Sequence, residues 1–199
     1  MEYIRHLSLD ARMAAVIRKT GPVRVVRRPD VCLYLCRSIV AQQLSTKVAS
    51  IIESRLTGLL SASIPTPDAV LSVSKERLRS IGLSATKADY LHNVARYFRD
   101  LSLEDAVFRK LDDESVIQLL TEIKGVGRWT AEMTLMFSLG RKDVFSPDDY
   151  GIQQAMVRLY DLEGGNRRMF KTEMERIAMA WSPYRTYACL HLWKSKDEA

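Results

Sequence analysis

Apolar residues in this chain recur every three to four positions along most of its length, and that period commits it to helices. Val116, Ile117, Leu120 and Ile123 fall on one face, as do Ile152, Ala155, Met156 and Leu159; both sets follow the spacing of an amphipathic helix. Only Val23-Arg24-Val25-Val26 has the look of a strand, and one short strand makes no sheet. The pattern predicts an all-α fold, with helices over 7–19, two within 31–58, then 67–73, 75–80, 84–99, a helix-turn-helix over 112–140, and 150–160, 168–180 and 183–194. The two within 31–58 join tightly at AQQLS. Residues 21–30, with a proline near each end, are expected to be extended, and a turn is expected at 63–67. Ser84 is placed as an N-cap.

With 199 residues, of which 47% are hydrophobic, the chain has material for one compact domain or two small lobes. No apolar run reaches the length of a membrane span, and the first residues lack the apolar core of a secretory signal. Cys32, Cys36 and Cys189 are too few to staple such a chain, which points to a reducing cytosol. Cys32 and Cys36 read as core, and no four-cysteine pattern for an iron–sulfur cluster occurs. His6, His92 and His191 are too dispersed for a metal site, so no metal ligand is assigned. Lys and Arg exceed Asp and Glu by 30 to 24, a formal charge of +6 that favours an anionic partner only weakly.

The most pointed local motif is Ile123-Lys124-Gly125-Val126-Gly127-Arg128. Two glycines one residue apart permit a very tight turn and leave its outer face without side-chain bulk. Backbone amides there can approach a phosphate oxygen, with Lys124 and Arg128 adding charge; a plain helix connector would carry the same residues. Downstream, Asp148 and Asp149 precede an amphipathic helix. Either is a natural N-cap, and a capping carboxylate is rigid and ionised, so capping and catalysis are compatible roles.

The run LLTEIKGVGRWTAEMTLMFSLGRKDVFSPDDYGIQQ, with RSIVAQQLSTKVAS (37–50), IGLSATKADYL (81–91) and WSPYRTYACLHLW (181–193), resembles the helix-hairpin-helix (HhH-GPD) DNA glycosylase superfamily. More narrowly it resembles the 3-methyladenine DNA glycosylase II branch, and the matches span nearly the whole chain. The resemblance implies a two-lobed fold without an N-terminal β-rich domain, one lobe from residues 30–135 and the other from 1–29 plus 136–199. It implies Asp149 as the catalytic residue, with Asp148 shaping the turn or touching neighbouring backbone. Trp129, Met133 and Trp193 fall in the base pocket, where aromatic faces stack on an extruded base and attract a cationic purine. Trp181 is packing support and His191 is structural.

The same resemblance gives DNA contact to Lys124, Gly125, Val126, Gly127 and Arg128 of the hairpin, and to Gln42, Gln43 and Leu44. Gln43 is the wedge that fills the vacated stack, with Leu44 beside it. Trp129 stands where strand-cutting relatives carry an amine nucleophile, which implies base excision without strand cleavage. The expectation is a monomeric DNA repair hydrolase acting on double-stranded DNA with alkylated bases, in the cytoplasm at the nucleoid or in a nucleus. No cofactor is required, and the hairpin carbonyls offer a place for a monovalent cation. The alternatives are a glycosylase for oxidised or deaminated bases and a noncatalytic helical damage-binding protein.

Overall fold

The computed structural model describes residues 1–60, 66–162 and 166–197. Among these there is no strand, and the segment 21–30 is irregular. VRVV is therefore not a strand, because no second strand is available to pair with it. The chain forms two compact units, one from Arg28–Thr134 and one from Met1–Arg27 with Leu135–Ala199. No helix among the described residues is long and apolar enough to cross a membrane.

The expected first helix over 7–19 is α2 (Ala11–Thr20), and a separate helix, α1 (Glu2–Leu7), precedes it. The break lies at Asp10, whose carboxylate accepts the Arg12 and Met13 amides at 2.9 and 3.1 Å and so starts α2 afresh. The Arg28–Thr134 unit holds α3 (Val31–Ala41), α4 (Thr46–Leu59), α5 (Pro67–Ser72), α6 (Lys75–Ser80), α7 (Ala85–Asp100), α8 (Asp105–Lys110), α9 (Asp113–Thr121) and α10 (Arg128–Thr134). Of the turn expected at 63–67, residues 63–65 lie outside the described residues, while Thr66 caps α5 and Pro67 opens it. Helix α7 is the hub: α3, α5 and α6 pack against it, and it buries Ala88, Leu91, Val94, Ala95 and Phe98. The Ser84 hydroxyl accepts the Lys87 amide at 3.2 Å and fixes where α7 begins.

Helix α3 buries Val31, Cys32, Leu35, Cys36, Ile39 and Val40. Its N-terminus carries two caps. Asp30 accepts the Leu33 amide, and Asp105, at the start of α8, accepts the Asp30 and Val31 amides at 3.2 and 3.0 Å. All three cysteines are buried free thiols.

After α10 the winding widens into a π-turn, Leu135–Leu139, closed by Gly140 at φ +72°. The expected helix to residue 140 is thus α-helical only to Thr134. Helices α11 (Tyr150–Tyr160), α12 (Arg167–Met179) and α13 (Arg185–Asp197) complete the second unit, with α13 packed on α11 and α2. The buried His191 Nδ1 lies 2.7 Å from the Thr20 hydroxyl. Burial, then the charge of Lys194, pushes its pKa down to about 4, so the ring is neutral at physiological pH.

Asp10 also ties this unit together. Its second oxygen accepts the Tyr160 hydroxyl at 2.5 Å and the Trp181 indole N–H at 3.1 Å, and Trp181 is fully buried. Burial alone would raise the Asp10 pKa, but the bonds from Tyr160, the Met13 amide, Trp181 and the Arg12 amide outweigh it and hold the pKa below its ordinary value. Stability from this carboxylate is present above the unfolded-state pKa and is lost as pH falls through the lower folded value. At pH 7, Asp10→Ala is expected to cost about 2 kcal/mol, because it strands the half-buried Tyr160 hydroxyl and the indole N–H of buried Trp181. In parallel melts of parent and variant, that gap should hold down to about pH 4 and narrow below it; a gap that stays constant well below that pH rejects the assignment.

Candidate active site

The hairpin between α9 and α10 depends on two glycines for different reasons. Gly125 has φ +111°, and a Cβ there would lie 2.4 Å from the Tyr90 ring. The aromatic side chain of α7 therefore packs directly against the turn. A Cβ at Gly127 would meet nothing within 4 Å, so the outer face of the turn is open there. Val126 is buried and its amide donates to the Ile123 carbonyl at 2.9 Å, while the Gly127 carbonyl accepts the Ala131 amide and opens α10. Asn93 of α7 donates to the Lys124 carbonyl at 3.1 Å.

Arg128 does not project as an unpaired cation. Its guanidinium forks onto Glu114 at 3.0 and 2.9 Å and reaches Glu132 at 3.1 Å. Glu132 is 2% exposed, so a buried carboxylate draws the cation inward. The hydrogen bonds from Arg128 hold the Glu114 carboxyl below its usual range. Lys124 is exposed at the turn, and Arg128, though paired, keeps an exposed side chain as well.

The loop between α3 and α4 follows the C-terminus of α3. Gln43 is exposed at φ +58° and Leu44 is 37% exposed. The Gln42 side chain turns toward the hairpin and donates to the Gly125 carbonyl at 3.5 Å, a long bond that links loop to hairpin. Below the loop lies a cleft of about 460 Å³, lined by Trp129 and Met133 of α10, Tyr34 and Ser38 of α3, and Gln42 and Gln43. Trp129 is 42% exposed and Met133 is buried. Arg28, Arg37 and Glu53 bring charge to the same cleft. Neither Tyr34 nor Ser38 belongs to the site residues expected from the motifs. The signal that could have found them is their spacing, since both interrupt an apolar run four residues apart.

In the other unit, Asp149 caps α11. One carboxylate oxygen accepts the Ile152 amide at 2.9 Å and the Trp193 indole N–H at 2.8 Å. Gly151 makes room for this clasp, since a Cβ there would stand 3.1 Å from both the carboxylate oxygen and the indole ring. Trp193 is half-buried, with its ring centroid 6.0 Å from that of Phe137. Asp148, expected to shape the turn or touch backbone, instead pairs with the side chains of Lys171 and Arg167. Lys171 lies one turn beyond Arg167 on α12, so both cations meet that carboxylate. Its charge is compensated and its pKa held down, first by the Lys171 hydrogen bond. Adjacent aspartates thus have separate tasks. The described residues contain no cluster of His, Cys, Asp and Glu that could hold a metal ion.

Two helices joined by a glycine hairpin, α9 and α10, in a fold that is helical with no strand among the described residues, place the chain among helix-hairpin-helix proteins. The model of the HhH-GPD superfamily base excision DNA repair proteins matches residues 36–181, and the chain belongs to that family. It is 33% identical over 200 residues to DNA-3-methyladenine glycosylase 1 of Schizosaccharomyces pombe, covering 98% of this chain and 86% of the relative. A crystal structure of a DNA-3-methyladenine glycosidase from Bacillus halodurans superposes with a TM-score of 0.86 at 37% identity, covering 98% of this chain and 89% of that one. The S. pombe 3-methyladenine DNA glycosylase in complex with abasic DNA gives 0.84 at 31% identity, covering 99% and 97%.

Proposed function

We propose that this chain is a monofunctional DNA glycosylase that hydrolyses the N-glycosidic bond of alkylated purines, 3-methyladenine among them, in double-stranded DNA and leaves an abasic site. The observation that carries the reading is the Asp149 carboxylate, fixed by the Ile152 amide and the Trp193 indole. As the base departs with the bonding pair, positive charge develops on the deoxyribose, and a fixed carboxylate stabilises it without reorganising. Water then attacks the anomeric carbon and loses a proton. The names of the relatives support the alkylated-base class.

The cleft beside Trp129 and Met133 receives the extruded base, whose cationic ring gains from the exposed indole face. Trp193 orients Asp149 through its N–H. The hairpin amides around Gly127 anchor a DNA phosphate, and Gln43, with Leu44 beside it, fills the vacated stack. The hairpin carbonyls offer a place for a monovalent cation, since each carbonyl oxygen keeps a second lone pair beside any hydrogen bond it accepts, and no step is routed through one. We place the enzyme, as a monomer, at the nucleoid or in the nucleus, where its substrate lies.

A release assay with methylated, ethylated, oxidised and deaminated bases tests the substrate class. Methylated purines should be freed fastest, and release of only a non-alkylated base rejects the assignment. Trp129 has no amine to form a Schiff base with the sugar. Borohydride added during turnover should therefore trap no covalent enzyme–DNA adduct, and a trapped adduct contradicts the monofunctional reading.

A further inference from the structure

Three side chains one turn apart on α7 reach both DNA-facing segments of their unit. Lys87 Nζ donates to the Val40 carbonyl at 2.8 Å and to the Gln42 carbonyl at 2.7 Å, where α3 ends and the loop begins. Tyr90 lies under Gly125, and Asn93 holds the Lys124 carbonyl. Gln42 joins the two segments directly through the Gly125 carbonyl.

Among the described residues no carboxylate forms an ion pair with Lys87. Its ammonium is instead held against the carbonyls at the negative end of the eleven-residue α3, where a cation is stabilised by the helix dipole. Partial burial lowers its pKa, as expected for a group turned away from bulk water. The carbonyl it grips belongs to the residue immediately before Gln43. Gln43 itself sits at φ +58°, a left-handed conformation that costs a non-glycine residue energy and persists only when its surroundings impose it.

We infer that Lys87 is a positioning residue for stack opening: it clamps the end of α3 so that Gln43 is presented at a fixed height relative to the phosphate-binding hairpin. The inference rests on the reading of the Gln43 loop as the wedge. It differs from the ordinary role of a lysine in a DNA-binding protein, because the ammonium faces backbone carbonyls and not a phosphate.

The test uses the full chain and a duplex carrying a stable abasic-site analogue next to 2-aminopurine, whose fluorescence rises when it unstacks. Single-turnover release of 7-methylguanine from duplex DNA is measured in parallel. Lys87→Met should lower the fluorescence rise and slow release by about tenfold, the order expected when two charge-assisted hydrogen bonds that fix a loop are lost. Lys87→Arg should restore both in part. The slope of log affinity against log salt should stay at the parent value; a fall of about one identifies Lys87 as a phosphate ligand and overturns the inference.

Unchanged fluorescence in Lys87→Met overturns it as well, provided Gln43→Ala abolishes the rise. If Gln43→Ala has no effect, the wedge reading itself fails, and the inference with it. Should Lys87→Met not fold, Lys87→Gln carries the same comparison. Failure of both to fold assigns the residue to stability alone and overturns the inference.

Discussion

Asp149→Asn is expected to slow base release about 10³-fold, the size of effect seen when one preorganised electrostatic group is removed from a transition state. The substitution isolates charge from architecture. The asparagine carbonyl oxygen can still accept the Ile152 amide and the Trp193 indole N–H, which reach Asp149 at 2.9 and 2.8 Å. Asparagine and aspartate are also comparable N-caps, so stability should stay within about 0.5 kcal/mol of the parent. Affinity for abasic DNA should persist, because the hairpin and the Gln43 loop are untouched. Single-turnover release and abasic-DNA binding measured on one preparation give both answers. A variant that keeps its turnover removes Asp149 from the chemistry and revives the noncatalytic damage-binding alternative.

The hairpin glycines should separate folding from binding. Gly125→Ala places a methyl 2.4 Å from the Tyr90 ring at φ +111°, which combines a steric collision with backbone strain. The expected cost is about 3 kcal/mol, or a Tm lowered by roughly 6–12 °C for a chain of this length. Adding Tyr90→Ala should recover the collision but not the strain. Gly127→Ala meets nothing within 4 Å and should leave Tm almost unchanged. Its methyl would occupy the face where a phosphate has to approach, so DNA affinity should fall by about tenfold, as when one charge-assisted hydrogen bond is lost. Equal melting of the two alanine variants would reject both the collision with Tyr90 and the backbone strain at Gly125.

Much of this fold is legible in the sequence, because helical periodicity and caps are local. The chain is all-α, and Ser84, Thr66 and Asp149 sit at helix starts for reasons visible within three residues. The break at Asp10 is equally local, but the apolar pattern on either side hides it. What the sequence does not show is reach. Asp105 caps α3 from 75 residues away, and Trp193 finds Asp149 across 44. Lys87 holds the Val40 carbonyl across 47 residues. In each case the partner is fixed by tertiary packing, which no spacing rule encodes. Arg128 lies between these cases. Glu132 stands four residues on, at the spacing of a helical ion pair, whereas the stronger fork comes from Glu114 on the preceding helix.

That pairing of Arg128 also shapes how the protein meets DNA. A cation already neutralised by two carboxylates releases few counterions when a phosphate arrives, and backbone amides release none. Grip at the hairpin should therefore fade only gently as salt rises. A hairpin built this way gives up some long-range attraction, and in return its hold on a phosphate should differ little between a crowded ionic medium and a dilute one.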